Sequence, residues 1–233
     1  MKNKGLVTFN LLNSNKNIGI LTIKNSAKRN AISSEVISGL NSSLLSIEFY
    51  FQTFGYPKTV ILESEGKVYS SGHDLKELYE SSQEKRIQIL TECTDMMMKL
   101  NKISPIILTE VKGLATAAGF QLLTSCDLVI ASSKSQFSIP GIKLGLYAAT
   151  PGVALLRNLS VKKSFESLFT VNIINAIEAE KMGFVNYLIN ENENDTEDLL
   201  NKRIRDFSIS KCEQINENLS IEQLKELKRS FYI

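Results

Sequence analysis

The most informative stretch of the chain is Gly113-Leu-Ala-Thr-Ala-Ala-Gly-Phe-Gln-Leu-Leu-Thr-Ser-Cys-Asp127. It follows an apolar run, residues 105–111, that is typical of a buried strand. Small residues then lead into a second apolar run at Phe120, where a helix is expected. The first N–H groups of a helix have no partner inside it, so they stabilise an anion or an oxygen that gains negative charge. The stretch therefore predicts either an anion-binding turn or a tightly packed strand-to-helix turn without a ligand.

Composition limits the class of protein. The chain has 233 residues, of which 43% are hydrophobic, and a net charge of +2, which suits one larger domain or two small ones. This charge gives no reason to expect a nucleic-acid or membrane partner. The three cysteines, Cys93, Cys126 and Cys212, are odd in number and widely spaced, which argues against a disulfide framework or a zinc site. A reducing, intracellular compartment is expected, and the first residues pass so soon into a strand pattern that no signal peptide is predicted.

Hydrophobic patterns predict strands that alternate with helices, which is the signature of an α/β protein. Residues 6–12 and 18–24 are expected to form a hairpin, and Ser33 to open an amphipathic helix. A helix is predicted over 83–102, with its three consecutive methionines in the core. The apolar positions assigned to the first helix are Val36, Ile37, Leu40, Leu44, Leu45 and Phe49. Further strands are expected at 59–63, 128–131 and 184–189, and further helices near Pro151, Lys162, Ala176, Leu199 and Ser220.

The lone histidine, His73, lies in the sequence Ser-Ser-Gly-His-Asp. A Ser–His–Asp site would need it as the base, but the chain has no Gly-x-Ser-x-Gly elbow. The backbone is more informative, because Gly72 leaves the chain free to turn the His73 N–H toward a ligand. The loops 69–74 and 113–119 each precede a candidate helix and could each offer one amide. Two convergent amides form an oxyanion hole.

Six motifs, in order and spacing, resemble the enoyl-CoA hydratase/isomerase (crotonase) superfamily over residues 5–190. They are Asn25-Ser-Ala-Lys-Arg-Asn-Ala-Ile, Tyr69-Ser-Ser-Gly-His-Asp-Leu-Lys, the Gly113–Asp127 stretch, Phe137-Ser-Ile-Pro140, Pro151-Gly152 and Ile174-Asn-Ala-Ile-Glu-Ala-Glu-Lys-Met-Gly-Phe-Val.

The resemblance implies a fold and an assembly. The expected fold is a crotonase-like α/β spiral of repeated ββα units over 1–190, followed by a short helical C-terminal segment over 191–233. A homotrimer or hexamer is implied, although this segment is short for the family. A place in fatty acid metabolism is implied, without nucleic-acid or membrane partners. Relatives occur in mitochondria and cytosol, and no transit peptide is visible at the start of the sequence.

The resemblance also implies a site for an acyl-CoA thioester. Backbone amides of His73 and Ala118, with Gly119 adjacent, would hold the thioester carbonyl. Coenzyme A would enter as part of the substrate, with no separate cofactor and no metal. As exposed cations, Lys28, Arg29 and Lys76 could equally be solvated charges. The implied CoA-contacting residues are Lys28, Arg29, Ala31, Ser71, His73, Asp74, Leu75 and Lys76.

The chain departs from the family where hydratases carry their two catalytic glutamates. Gln121 and Gly141 stand at these positions, and neither side chain accepts a proton. Losing positioned acid–base groups slows a reaction by ~10²–10⁴-fold each, so weak or absent hydratase activity is expected. Tyr147 is the best remaining proton donor, or an aromatic packed under a loop. Ala149 and Thr150 fall where some relatives carry a displaced carboxylate.

The combination of Gln121 and Gly141 with the retained loop motifs looks like a hydratase-domain-containing subgroup of the family. Three functions remain open. The first is acyl-CoA binding through a retained oxyanion hole with little hydration. The second is an enzyme of different chemistry on the same fold, such as an acyl-CoA decarboxylase or a thioesterase. The third is a non-catalytic assembly partner.

Overall fold

The computed structural model describes residues 5–145 and 149–231. Its strands are β1 Val7–Leu12, β2 Asn15–Ile23, β3 Thr59–Ser64, β4 Val68–Ser70, β5 Ile106–Val111, β6 Leu114–Thr116, β7 Leu128–Ser132, β8 Gln136–Ser138, β9 Ile174–Asn175 and β10 Tyr187–Ile189. Its helices are α1 Ser34–Phe54, α2 Leu75–Glu80, α3 Gln83–Lys102, α4 Ala118–Thr124, α5 Ala149–Asn158, α6 Val161–Thr170, α7 Ala176–Met182, α8 Glu197–Asn218 and α9 Ile221–Phe231. Short 3-10 helices lie at Ser26–Lys28 and Pro140–Leu144.

The strands form two sheets, and the chain passes repeatedly from one to the other. The larger sheet has the order β1-β2-β3-β5-β7-β10 and the smaller one β4-β6-β8-β9. Three times in succession the chain leaves the larger sheet (β3, β5, β7) and enters the smaller one (β4, β6, β8), before a helix follows. Pairing is parallel from β2 through β3, β5, β7 and β10, and from β4 through β6 to β8. This repeat confirms the predicted spiral of ββα units.

Apolar side chains fill two cores on either side of the larger sheet. The main core includes Ile32, Leu62 and Phe137, and it takes in the buried faces of α1, α3 and α4. In the second core, Leu200 and Ile204 of α8 contribute together with Leu224 of α9. All six residues of β5 are buried, as expected for a parallel strand that is covered on both faces.

The structure corrects the predicted apolar face of α1. Ser33 caps the helix as expected, since its side chain accepts from the Val36 N–H. Leu45 and Phe49, however, are 61% and 63% exposed. The buried positions beyond Leu44 are Ile47 and Phe51, which follow at intervals of three and four residues and so stay on the face that meets the sheet.

The three consecutive methionines of α3 do not share one environment. Met96 is fully buried in the main core, in agreement with the prediction. Met98 is 44% exposed, so it is not a core residue. Successive helical positions point about 100° apart, so three consecutive residues cannot all face the same core.

A buried cation attaches α9 to the rest of the molecule. The Nζ of Lys228, which is 4% exposed, lies 2.5 Å from Oδ2 of Asp127 and donates to the Pro105 carbonyl at 2.8 Å. Within the described part of the chain, no helix is both long enough and apolar enough to cross a membrane.

Candidate functional site

Two loops predicted to supply amides meet in the structure. Gly72 lies between β4 and α2 with φ +85°, a conformation that glycine adopts readily. A Cβ built on Gly72 would lie 2.9 Å from the Ala117 Cβ and 3.2 Å from the Ala118 nitrogen. The absence of a side chain at Gly72 therefore allows the His73 loop to reach the start of α4.

Both predicted donor amides are free of protein acceptors. Among the described residues, neither the His73 N–H nor the Ala118 N–H has a backbone or side-chain acceptor. Their neighbours are bonded, since Ile32 N donates to Gly72 O at 2.8 Å and Ala117 N donates to Ser138 O at 3.0 Å. Two donors without a protein acceptor, on adjoining loops, can each bond an oxygen that a ligand supplies.

The residue before the second donor is held in a strained conformation. Ala117 has φ 52° and ψ −122°, and residues other than glycine rarely have positive φ. Such strain is usually of order 1–3 kcal/mol and collects at functional sites. Arg29 and Asn30 also have positive φ, so three of the four non-glycine positive-φ residues in the described chain flank this site.

Gly119 has a packing role. A Cβ built there would lie 2.6 Å from the Ser70 Cβ and from its carbonyl oxygen, so only glycine lets α4 approach β4 this closely. The Ser70 hydroxyl, in turn, donates to Asn30 O at 2.8 Å and accepts from the Gly72 N–H at 3.2 Å. Ser70 thus connects three segments of the site.

The segment predicted to contact coenzyme A lies beside the His73 loop. Ser71 N donates to Arg29 O at 3.0 Å, which extends the contact made by Ile32 and Gly72. The fully buried Asn30 holds the segment in place, because its amide donates to Glu65 O at 2.8 Å and to Val68 O at 2.7 Å. Sequence reasoning did not identify Asn30, since a buried asparagine has no pattern that separates it from a loop residue.

The predicted CoA-contacting side chains differ in exposure and partners. Lys28 donates to Asp74 Oδ2 at 2.8 Å, and this contact raises the pKa of Lys28 and lowers that of Asp74. Asp74 also caps α2 by accepting from Glu77 N. Arg29, Leu75 and Lys76 are exposed, Ser71 and His73 are half-buried, and Ala31 is buried.

The His73 imidazole is not arranged as a catalytic base. Burial lowers its pKa below the usual value, although the Ile32 carbonyl and the Glu77 carboxylate act in the opposite direction. Its Nδ1 is buried without a partner among the described residues, and none of the described serines is hydrogen-bonded to the ring. The neutral ring therefore lacks the connections of a Ser–His–Asp site.

A cleft of about 490 Å³ opens beside α4 and between α3 and α5. Gln121 lines it and is only 6% exposed, yet its side-chain amide bonds to none of the described residues. Thr150 lies on the opposite wall, so the structure brings together two of the positions at which the family places catalytic groups. The remaining lining residues are Thr94, Met97, Met98, Asn101, Lys102, Thr124, Ser125, Val153, Ala154, Arg157 and Asn158.

Four other predicted site residues within the described chain are not among the lining of this cleft, namely His73, Ala118, Gly119 and Gly141. Gly141 lies in the 3-10 helix Pro140–Leu144 and is not among the described residues that line the cleft. Tyr147, the predicted proton donor, lies outside the described residues. No group of three or more His, Cys, Asp or Glu within residues 5–145 and 149–231 could hold a metal ion.

A cluster of three aromatic rings packs at the start of α4. Phe120 packs against Phe184 at 5.1 Å between ring centroids, and Phe184 packs edge-on against Phe137 at 5.2 Å. The three rings come from three of the sequence motifs and are nearly fully buried. Edge-to-face aromatic packing of this kind fixes the start of α4 relative to β8.

The chain is similar to known proteins over most of its length. The family model described as enoyl-CoA hydratase/isomerase matches residues 13–231. The mouse (Mus musculus) "Enoyl-CoA hydratase domain-containing protein 3, mitochondrial" is 38% identical over 192 residues, covering 82% of this chain and 63% of the relative. The chain therefore spans less than two thirds of that relative's length.

Solved structures give the same result for the fold. An enoyl-CoA hydratase of Mycobacterium smegmatis superposes with a TM-score of 0.86 at 29% identity, covering 98% of this chain and 83% of that one. The human enoyl-CoA hydratase domain-containing protein 3 superposes with a TM-score of 0.82 at 32% identity, covering 97% and 83%.

Proposed function

Because this chain belongs to the enoyl-CoA hydratase/isomerase family, we propose that it binds acyl-CoA thioesters through the amides of His73 and Ala118. The observation that carries the proposal is the meeting of the two loops, which leaves both N–H groups without an acceptor in the described structure. A thioester carbonyl offers the acceptor that these donors lack. Preorganised donors stabilise an oxygen most when it gains negative charge, as it does in an enolate.

The coenzyme A part of the ligand would lie along the segment 25–31 and the start of α2. Lys28, Arg29 and Lys76 supply positive charge there, and each is exposed at the surface. Lys28 can exchange its bond with Asp74 for a phosphate, because the lysine side chain is 63% exposed. Phosphates favour such cations by direct charge pairing.

Hydration of an enoyl-CoA is proposed to be weak or absent. Addition of water needs one group to take a proton and another to give one. In the described residues that line the cleft there is no carboxylate, and Gln121 occupies one family position without being able to accept a proton. Binding with little hydration therefore fits this site better than ordinary hydratase activity.

Two calorimetric titrations test the proposal. Butyryl-CoA should bind at least about tenfold more tightly than S-butyl-CoA, a thioether that lacks the carbonyl, because hydrogen bonds to the carbonyl are lost in the thioether. Equal affinities for the two compounds would contradict the oxyanion hole. Crotonyl-CoA, monitored by loss of its enoyl absorbance, should be hydrated at least ~10²-fold more slowly than by a hydratase that carries both glutamates.

We also propose that the chain assembles as a homotrimer or a hexamer. Apolar side chains are exposed on and near α6, where Phe165 and Phe169 stack at 5.4 Å between ring centroids, and Phe169 is 65% exposed. Exposed apolar patches of this kind mark protein interfaces. Light scattering after size exclusion should give three or six times the chain mass of 26.0 kDa, and a monomer would exclude this assembly.

A relative of the chain gives an indication of its cellular compartment. The name of the mouse relative places that protein in mitochondria. We propose an intracellular location, mitochondrial or cytoplasmic, and fractionation of cells that express a tagged full-length protein would test it.

A further inference from the structure

The described lining of the cleft beside α4 carries positive charge and no negative charge. Lys102 and Arg157 line it together with Gln121, and no aspartate or glutamate is among its described lining residues. Neither cation forms an ion pair within the part of the chain that the structure describes. Both residues are exposed, so their charges are hydrated at the edge of the cleft and are available to pair with an anionic group of a ligand.

Gln121 gives an independent indication of a polar ligand. The side chain is 6% exposed and lines the cleft, and its amide has no hydrogen-bond partner among the described residues. Its backbone carbonyl is satisfied, since it accepts from the Ser125 hydroxyl at 2.8 Å. Its amide atoms are not among the sealed polar atoms of the described residues, so the amide faces the cleft and can bond a ligand or water.

The walls that carry these groups are held by hydrogen bonds. The Asn158 amide donates to Thr124 O at 3.1 Å and to Ala154 O at 2.8 Å, which fixes the end of α5 against α4. Arg157 precedes Asn158 and is therefore placed on a fixed helix end. Lys102 is the last residue of α3, and it lines the cleft across from α5.

We infer that this cleft selects acyl-CoA thioesters whose acyl group ends in a carboxylate, with Arg157 and Lys102 pairing with the carboxylate. This inference rests on the proposed function, because the thioester must first lie in the oxyanion hole. Gln121 donates its amide hydrogen to an oxygen of the same acyl group. Met97, Met98 and Val153 contact the methylene groups between the thioester and the carboxylate.

Paired ligands of equal chain length test the inference on the whole chain. Adipoyl-CoA should bind at least roughly tenfold more tightly than hexanoyl-CoA, because a charge-assisted hydrogen bond is lost with the neutral chain. In Arg157→Gln and Lys102→Gln the ratio of the two affinities should fall toward one, and this ratio is not changed by a general loss of acyl-CoA binding. Lys162→Gln is the matched control, since Lys162 is exposed on α6 and is not among the described cleft residues.

The outcomes separate this inference from the proposed function. If hexanoyl-CoA binds as tightly as adipoyl-CoA, the carboxylate preference is wrong and acyl-CoA binding stands. If the preference is present but survives both substitutions and their combination, the assignment to Arg157 and Lys102 is wrong. If neither thioester binds to the folded chain, the proposed function itself fails, and this inference fails with it.

Discussion

Gly72 lies so close to the start of α4 that a Cβ atom on it would stand 3.2 Å from the amide nitrogen of Ala118. The same atom would lie 3.1 Å from the Thr116 carbonyl oxygen. This close approach, and not the chemistry of any side chain, brings the loop that carries His73 against the start of α4. Substitutions that alter the backbone should therefore affect ligand binding more than substitutions that alter the neighbouring side chain.

Gly72→Ala and His73→Ala should separate a backbone role from a side-chain role. Gly72→Ala meets both a positive φ of +85° and the Ala117 Cβ at 2.9 Å, so the loops must move apart. Butyryl-CoA binding should fall at least about tenfold, in keeping with the loss of hydrogen bonds to the carbonyl. His73→Ala keeps its N–H and should bind butyryl-CoA within about threefold of the parent, given the usual two- to threefold scatter of single contacts.

Calorimetric titration of each variant measures the effect, and circular dichroism shows whether each one is folded. If His73→Ala abolishes binding in a folded protein while Gly72→Ala does not, the backbone assignment is wrong and the imidazole contacts the ligand.

The loops of this candidate site could be predicted from sequence, because each is a local feature of the chain. The Gly72–His73 turn and the small residues before α4 each lie within a few residues of one another, and each has a recognisable pattern. The strained φ of Ala117 could not be predicted, because alanine gives no signal for positive φ. Lys102 and Arg157 lie on different helices, and only tertiary packing brings them to one cleft.

For the fold, too, local patterns could be predicted from the sequence and details set by tertiary packing could not. Strand and helix alternation predicted an α/β chain, since both periods are local properties of the chain, whereas the ββα spiral was implied only by the family resemblance. The apolar face of α1 was predicted wrongly for Leu45 and Phe49, which are more than half exposed. Hydrophobic periodicity defines a stripe about a helix, but the edge of that stripe depends on which side chains the sheet covers.

Restoring carboxylates should raise hydration of crotonyl-CoA. In Gln121→Glu with Gly141→Glu, the cleft regains a carboxylate at position 121, and a second carboxylate is added on the 3-10 helix that follows β8. We expect the rate to rise ~10²-fold, at the lower end for positioned acid–base groups, because the surrounding residues were not arranged for them. Gln121→Asn is the matched control, since it changes the same side chain without adding a carboxylate. A double variant that binds the thioester but hydrates it no faster would place the missing chemistry elsewhere.

The three cysteines should be unreactive in the folded protein. Burial raises the pKa of Cys93 and of Cys212 to about 12, and it raises the pKa of Cys126 as well. Since the thiolate is the nucleophile, an aromatic disulfide reagent at mildly alkaline pH should label none of them. Denaturation in urea should release all three thiols. Rapid labelling of the native chain would show that one of them becomes exposed by local opening.

The buried imidazole predicts how stability depends on pH. The pKa of His73 is lowered in the folded state, chiefly by burial, so between that pKa and the unfolded value of 6.5 the unfolded chain binds more protons. The folded chain should thus lose stability as pH falls below the unfolded pKa. Urea unfolding at about pH 7.5 and about pH 5.5 measures the loss, which should be smaller in His73→Gln. An equal loss in both proteins would assign the pH dependence to other groups.

Asp127 and Lys228 form the buried ion pair that attaches α9. Removing one charge should destabilise the protein more than removing both. Lys228→Met leaves Asp127 buried with its Oδ2 bonded to Ile107 N at 2.7 Å but without its cation. We expect a loss of about 3–5 kcal/mol in the free energy of unfolding, because an uncompensated buried charge remains. Asp127→Asn combined with Lys228→Met removes both charges and should recover a large part of that loss. Urea denaturation of the two variants and the parent measures both effects. If the single and double variants are equally stable, the unpaired charge of Asp127 is not the cause of the loss.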